Sequence, residues 1–257
     1  MTRTNRNVYS PPFVAFMLVL LLWCSGAHAE EIIVSAAASL GNAMQAVGDQ
    51  FQTDHSDTRV IFNFASSGAL LQQIAHGAPV DVFASANQAF MDRAAKQKLI
   101  RARTRCNFAR NTLVLAVPAG SAIGIQDLGD LVSAPQLRIS IGDPATVPAG
   151  RYARQALQRI DLWGKLRDRL ILATSVRQVL DYLRRDEIDA GLVYNTDVRI
   201  AGEAVRSIKI VATDDPIVYC IAVTAVSSRP AGGQQFIDYL LSDTGSAVLA
   251  TFGFERP

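Results

Sequence analysis

Histidine is scarce in this chain, and most catalytic signatures are missing. Of three histidines, His28 falls in an N-terminal segment read below as a leader, which leaves only His55 and His76. Two isolated histidines do not have the ligand spacing of a zinc site. There is no Gly-x-Ser-x-Gly elbow, no phosphate loop ending Gly-Lys-Ser/Thr and no Gly-x-Gly-x-x-Gly, so the common sequence marks of serine hydrolases, nucleotide hydrolases and dinucleotide enzymes are not found. Cysteine is equally sparse: beyond Cys24 only Cys106 and Cys220 occur, enough for at most one disulfide. An excess of either charge is missing too. The 25 basic and 23 acidic residues nearly cancel, which gives no electrostatic footprint for nucleic acid or an anionic membrane. Anything anionic that binds must be caught by local groups.

The N-terminus has the three-part pattern of an export signal. Arg3 and Arg6 precede an apolar run over 13–23, followed by Ser25-Gly26-Ala27-His28-Ala29 with small residues at the positions a signal peptidase reads. The run is shorter than the roughly 20 residues of a membrane span. An uncleaved anchor and lipid modification at Cys24 are the alternatives, but bulky Trp23 stands where lipoprotein signals want a small residue. The expectation is a leader of 1–29, cleaved after Ala29, and export to the periplasm. Of 257 residues 228 then remain, with 23 basic and 23 acidic side chains, enough for one large domain or two modest ones.

Strand-like and helix-like segments alternate through this remainder. Short apolar runs at 32–34, 60–62, 80–83, 113–117, 137–141, 170–172 and 190–193 read as buried strands. Helical spacing appears at 40–51, where Leu40, Met44, Val47 and Phe51 share a face, and again near 70–74, 88–98, 152–162 and 176–184. Near-continuous apolar strands separated by helices argue for parallel sheets covered on both faces. The end differs: strands at 208–212 and 217–224 flank the turn Thr213-Asp214-Asp215-Pro216, and helices follow at 234–241 and 245–250. This tail is expected to pack back on the first lobe.

Small hydroxyl and glycine turns recur between strands and helices. They contain Ser39, Ser66-Ser67-Gly68, Pro148-Ala149-Gly150 and Thr174-Ser175-Val176. In open parallel sheets such turns lie at the strand carboxyl ends, where ligands bind. Each exposes N–H groups of a helix start, which favour an anion. Taken singly, each also reads as an N-cap or a turn glycine. Asp186, Glu187 and Asp189 form an acidic cluster best read as a solvated helix end.

Several ordered blocks carry a resemblance. They are Ala36-Ala37-Ala38-Ser39-Leu40, Phe64-Ala65-Ser66-Ser67-Gly68, Gly77-Ala78-Pro79-Val80-Asp81-Val82-Phe83 and Gly142-Asp143-Pro144 with Val147-Pro148-Ala149-Gly150. Ser175-Val176-Arg177, Gly191-Leu192-Val193-Tyr194 and the terminal Phe252-Gly253-Phe254 continue the series. Together they resemble the periplasmic molybdate-binding proteins of bacterial molybdate ABC transporters, over all of the chain beyond the leader. The resemblance implies an α/β protein of two Rossmann-like lobes joined by two crossing strands, the type II solute-binding fold. Lobe 1 would comprise 30–110 plus 221–257, and lobe 2 residues 111–220. It implies no enzyme activity and no cofactor. The ligand would be molybdate or tungstate, with molybdenum bound only as the oxyanion, held by Ser39, Ser67, Ala149, Val176 and Tyr194. The partners would be a membrane permease and its cytoplasmic ATPase, and the chain would act as a monomer. Cys220 stands where this family often has proline, and Gly68 where serine is common. Asp81 and Asp143 are read as turn braces, since a carboxylate would repel a dianion.

Beside a sensor that passes occupancy to a signalling protein rather than to a transporter, two other readings stay open at this level. One is a receptor for sulfate or phosphate on the same fold. The other is a secreted hydrolase with Ser39 or Ser67 as nucleophile, for which no base lies nearby in sequence. Cys106 and Cys220 both fall near the expected crossings. A disulfide between them is open against two separate buried thiols.

Overall fold

The computed structural model describes residues 1–2 and 29–257, so the expected leader falls almost wholly outside the described residues. The rest forms two five-stranded sheets. The first has the order β2-β1-β3-β10-β4, from β1 (Glu30–Ala37), β2 (Thr58–Ala65), β3 (Val82–Ser85), β4 (Cys106–Asn111) and β10 (Ile217–Val223). The second has the order β7-β6-β8-β5-β9, from β5 (Leu113–Pro118), β6 (Ile139–Gly142), β7 (Leu170–Ala173), β8 (Ala190–Tyr194) and β9 (Val205–Val211). Each sheet has a parallel trio, β2-β1-β3 or β7-β6-β8, to which an antiparallel strand adds, β10 on β3 and β5 on β8. The inner strand β5 is buried along all six residues, which is why it reads as an unbroken apolar run.

Helices follow the strands of each trio. In the first lobe these are α1 (Gly41–Asp54), α2 (Ser67–Ala75) and α3 (Gln88–Lys96). In the second they are α4 (Asp130–Ser133), α5 (Pro148–Arg159), α6 (Trp163–Leu166), α7 (Val176–Arg184) and α8 (Asn195–Ala201). Local capping fixes the starts: Ser66, Asn87 and Ser175 accept the N–H of Ala69, Phe90 and Gln178 respectively. Pro148 occupies the first turn of α5, where its missing N–H costs nothing. That start extends α5 four residues earlier than the apolar spacing at 152–162 indicates.

The chain crosses between lobes at Thr112 and returns between Val211 and Ile217. The expected boundary after 220 would divide β10, yet all seven residues of β10 pair with β3 or β4 in the first sheet. The return therefore lies in the turn at 212–216. After β10, α9 (Pro230–Leu241) and α10 (Asp243–Thr251) pack back on lobe 1. Phe51 of α1 meets Phe236 and Tyr239 of α9 edge-on, at ring distances of 5.5 and 5.2 Å, and the Tyr239 hydroxyl donates to Asp54 (2.8 Å). Burying one phenyl ring of this kind stabilises by about 1.5–3 kcal/mol.

Strand β4 has no counterpart among the expected strands. It is a sheet edge of sequence Cys-Asn-Phe-Ala-Arg-Asn, too polar to form an apolar run. Its register also decides the cysteines. Cys106 pairs with Ile221, and Cys220 pairs with Asn107. Opposed residues share a face and successive residues alternate, so the two thiols point to opposite faces of the sheet. Both are free. Burial pushes Cys106 up to about 11 and Cys220 up to about 12, which leaves both as protonated small hydrophobes.

Candidate functional site

The strand-end turns of the two lobes face each other and touch. The Gly68 N–H at the start of α2 donates to the Thr146 carbonyl ahead of α5 (2.9 Å). Arg177, in the first turn of α7, donates to the Ser39 carbonyl (3.1 Å) and to Asn42 Oδ1 (2.8 Å). The rings of Tyr194 in lobe 2 and Tyr219 in lobe 1 lie 5.9 Å apart. These contacts are those of a closed cleft. Ser39, Ser67, Ala149, Val176 and Tyr194 are each at most 3% exposed, and every one lies within three residues of a cross-lobe contact or makes one.

Each residue reaches this place by a different local device. Ser39 sits in a single 3-10 turn, Ala38–Leu40, between β1 and α1. Ser67 is the first residue of α2, behind the cap Ser66. Ala149 is the second residue of α5, and Val176 is the first of α7. Tyr194 ends β8 and precedes α8. First-turn N–H groups have no partner within their own helix, so Ser67, Ala149 and Val176 bring N–H donors from both lobes. The start of α5 comes close to β6 only because residue 150 is glycine: a Cβ there would collide with the Gly142 carbonyl.

The hydroxyls are held by a hydrogen-bond network that reaches across the sequence. Thr112 N–H donates to Asn111 Oδ1 (2.8 Å), which fixes the amide and turns Asn111 Nδ2 toward the Tyr219 hydroxyl (3.1 Å) and Thr196 Oγ1 (2.9 Å). Tyr219 accepts there, and its hydroxyl also lies 3.0 Å from Ser39 Oγ, in a bond where either hydroxyl can donate. Ser67 Oγ accepts the Ala86 N–H (3.1 Å), and its own hydrogen is uncommitted. The Tyr194 hydroxyl is buried with no hydrogen-bond partner. An orphaned buried hydroxyl costs about 1–3 kcal/mol and marks a place where something polar belongs. Burial holds Tyr194, Tyr219 and Tyr152 well above the usual phenol range, so all three are neutral.

The carboxylates are occupied elsewhere. Asp81 accepts Ile33 N–H (2.9 Å) and the Ser227 hydroxyl (2.7 Å), tying β1 and β3 to the tail. Asp143 accepts Ala145 N–H (2.9 Å) within its own turn. Asp189 of the acidic cluster pairs with Arg138 (2.8 Å) on the surface. Asp197 is fully buried and pairs with Arg177 (2.9 Å), and its carboxyl is pushed up to about 6, chiefly by burial, against the pull of Arg177 and the Tyr194 N–H. The histidines lie at the wrong ends for nucleophilic catalysis. His55 and His76 cap the C-termini of α1 and α2, whereas the serines lie at the N-termini. A helix of 14 residues sets Ser39 and His55 about 20 Å apart, and neither serine hydroxyl contacts a base. The Asn111–Tyr219 relay and the Ala86 N–H were not legible in sequence, since they reach the serines across 180 and 19 residues.

Two sheet-and-helix lobes with apposed strand-end turns and crossing strands define a two-lobed solute-binding protein. The family model for bacterial extracellular solute-binding protein matches residues 32–255, and the chain belongs to that family, one of binding proteins rather than enzymes. It is similar to the molybdate-binding protein ModA of Haemophilus influenzae, 35% identical over 243 residues, covering 93% of this chain and 95% of that one. With ModA of Escherichia coli the identity is 36% over 233 residues, covering 87% and 88%. Among solved structures, the substrate binding domain of a putative molybdenum ABC transporter from Clostridium difficile matches with a TM-score of 0.66 at 32% identity, over 88% of this chain and 99% of that one. The sulfate-binding protein SubI from Mycobacterium tuberculosis matches with a TM-score of 0.78 at 17% identity, over 88% and 87%; at that identity the likeness is one of fold alone.

Proposed function

We propose that this protein is a periplasmic receptor for molybdate, and also for tungstate, that delivers the anion as a monomer to the permease of an ABC importer driven by a cytoplasmic ATPase. Residues 1–29 serve as its export leader. The anion lies between the lobes, held by the hydroxyls of Ser39, Ser67 and Tyr194 and by backbone N–H groups at Ser39, Ser67, Ala149 and Val176. The observation that carries this reading is the set of uncommitted donors, above all the buried Tyr194 hydroxyl. The similarity to two proteins named for molybdate binding gives independent support.

Neutral donors suit the task. Burying a dianion removes its water shell, and each hydrogen bond to a charged partner returns about 1.5–3 kcal/mol. A donor-only cavity also rejects protonated phosphate, which would bring a hydrogen needing an acceptor. Calorimetry of the mature protein with molybdate, tungstate, sulfate and phosphate tests the proposal. Tight binding of the first two and weak binding of the others is expected. Equal or tighter binding of sulfate would replace molybdate as the ligand.

A further inference from the structure

Arg177 makes three polar contacts, and none requires a solute. Its Nε pairs with Asp197 Oδ1 in its own lobe (2.9 Å). Its two terminal nitrogens reach Asn42 Oδ1 (2.8 Å) and the Ser39 carbonyl (3.1 Å) in the other lobe. Asp197 is fully buried, while the arginine side chain is 21% exposed at the cleft edge. The fork therefore has a fixed root in lobe 2 and two grips on lobe 1. One grip is on the backbone of Ser39 itself, and the root adjoins Val176, so Arg177 ties a donor of one half-site to a donor of the other. Its charge is balanced by Asp197 and does not leave the site cationic.

We propose that Arg177 is a positioning residue for solute binding: rooted on Asp197, it latches the Ser39 turn to lobe 2 and sets the register in which the two half-sites close. The latch rests on the oxyanion reading above. It needs a planar, rigid fork, because three acceptors lie in three directions and an ammonium on a flexible stem does not span them. It acts after encounter, once the lobes have met, so its loss shows in release rather than capture.

The test is a chase of labelled molybdate from the full mature protein with unlabelled molybdate, on wild type, Arg177→Lys and Asn42→Ala. Arg177→Lys is expected to speed release by about tenfold and Asn42→Ala by about threefold, with association within about twofold of wild type. Asn42→Ala leaves the Arg177–Asp197 pair intact, so the circular dichroism spectrum of the unliganded variant should match that of wild type. Wild-type release rates in both variants would overturn the latch. Should the wild type bind no oxyanion at all, the oxyanion reading fails on its own. The latch is then decided by small-angle scattering without ligand: a larger radius of gyration for Arg177→Lys supports it, and an unchanged radius overturns it.

Discussion

The two half-sites are built from different chemistry. Lobe 1 offers serines, each held by a protein hydrogen bond, Ser39 with the Tyr219 hydroxyl and Ser67 from the Ala86 N–H. Lobe 2 offers helix-start N–H groups at Ala149 and Val176, whose side chains are apolar, and one tyrosine hydroxyl with no protein partner. The lobe 1 donors are pre-aimed by side-chain hydrogen bonds, whereas the backbone donors of lobe 2 are aimed by the close packing of helix on strand that Gly150 permits. The lesson concerns vulnerability. Lobe 1 can be damaged by deleting a single oxygen, while lobe 2, Tyr194 apart, tolerates side-chain change so long as its backbone stays in place.

The largest expected effect comes from Asp197, beneath the lobe 2 half-site. Its carboxyl lies at about 6 in the folded protein against 3.8 as the ordinary value, raised chiefly by burial. A raised folded pKa means the native state binds the proton more tightly, so the contribution is fully present below pH 3.8 and is lost as pH rises through about 6. That shift corresponds to roughly 3 kcal/mol over the whole window. Subtracting the pH–stability curve of Asp197→Asn from that of wild type should reveal a fall between pH 4 and 6, read by urea melts; a rise would show that the Arg177 pair outweighs burial.

Joining the half-sites should stabilise the fold by a similar amount. At molybdate about 100 times Kd the gain is roughly 2.7 kcal/mol, a melting shift of roughly 5–10 °C for a chain of this size. A thermal scan unmoved by millimolar molybdate would mean that no ligand bridges the lobes.

Single-atom deletions come next. Ser67→Ala and Tyr194→Phe should each weaken binding by about 1–3 kcal/mol, because an enclosed anion loses a donor that water cannot replace. Calorimetry on both variants checks this, and unchanged affinity in the pair would place the site elsewhere. Smallest of all is Val176→Ile, expected to change affinity by less than about 0.5 kcal/mol because only its N–H is used. A loss as large as that of Ser67→Ala would make lobe 2 a side-chain site after all, and the contrast between the lobes would disappear.

Much of this architecture is written in local pattern. Helix α7 starts at Val176 and ends at Arg184 as the spacing indicates, and the strands of both parallel trios appear as apolar runs, although β7, expected to be buried, is an edge that leaves Ile171 and Leu172 exposed. The turns were legible for the same reason: a strand, a small residue and a helix start form one local signal. The edge strands β4 and β9 were harder. β4 is partly polar, and β9 begins at Val205 rather than 208, since with one face in water the apolar run breaks up. What orients the donors was least legible. Asn111 and Tyr219 look like an ordinary loop asparagine and an ordinary strand tyrosine until the crossing strands bring them to Ser39. Arg177 looks like a solvated helix residue until the lobes close. Long-range pairing of this kind leaves no spacing to read.

The most direct measurement is a crystal structure of the mature protein grown with tungstate, located by the anomalous signal of tungsten. A single tungsten between the lobes is expected, with its oxygens in hydrogen-bond reach of the Ser39, Ser67 and Tyr194 hydroxyls and of the N–H groups of Ala149 and Val176. Tungsten bound elsewhere, or a cleft in which the Tyr194 hydroxyl still has no partner, would contradict the account.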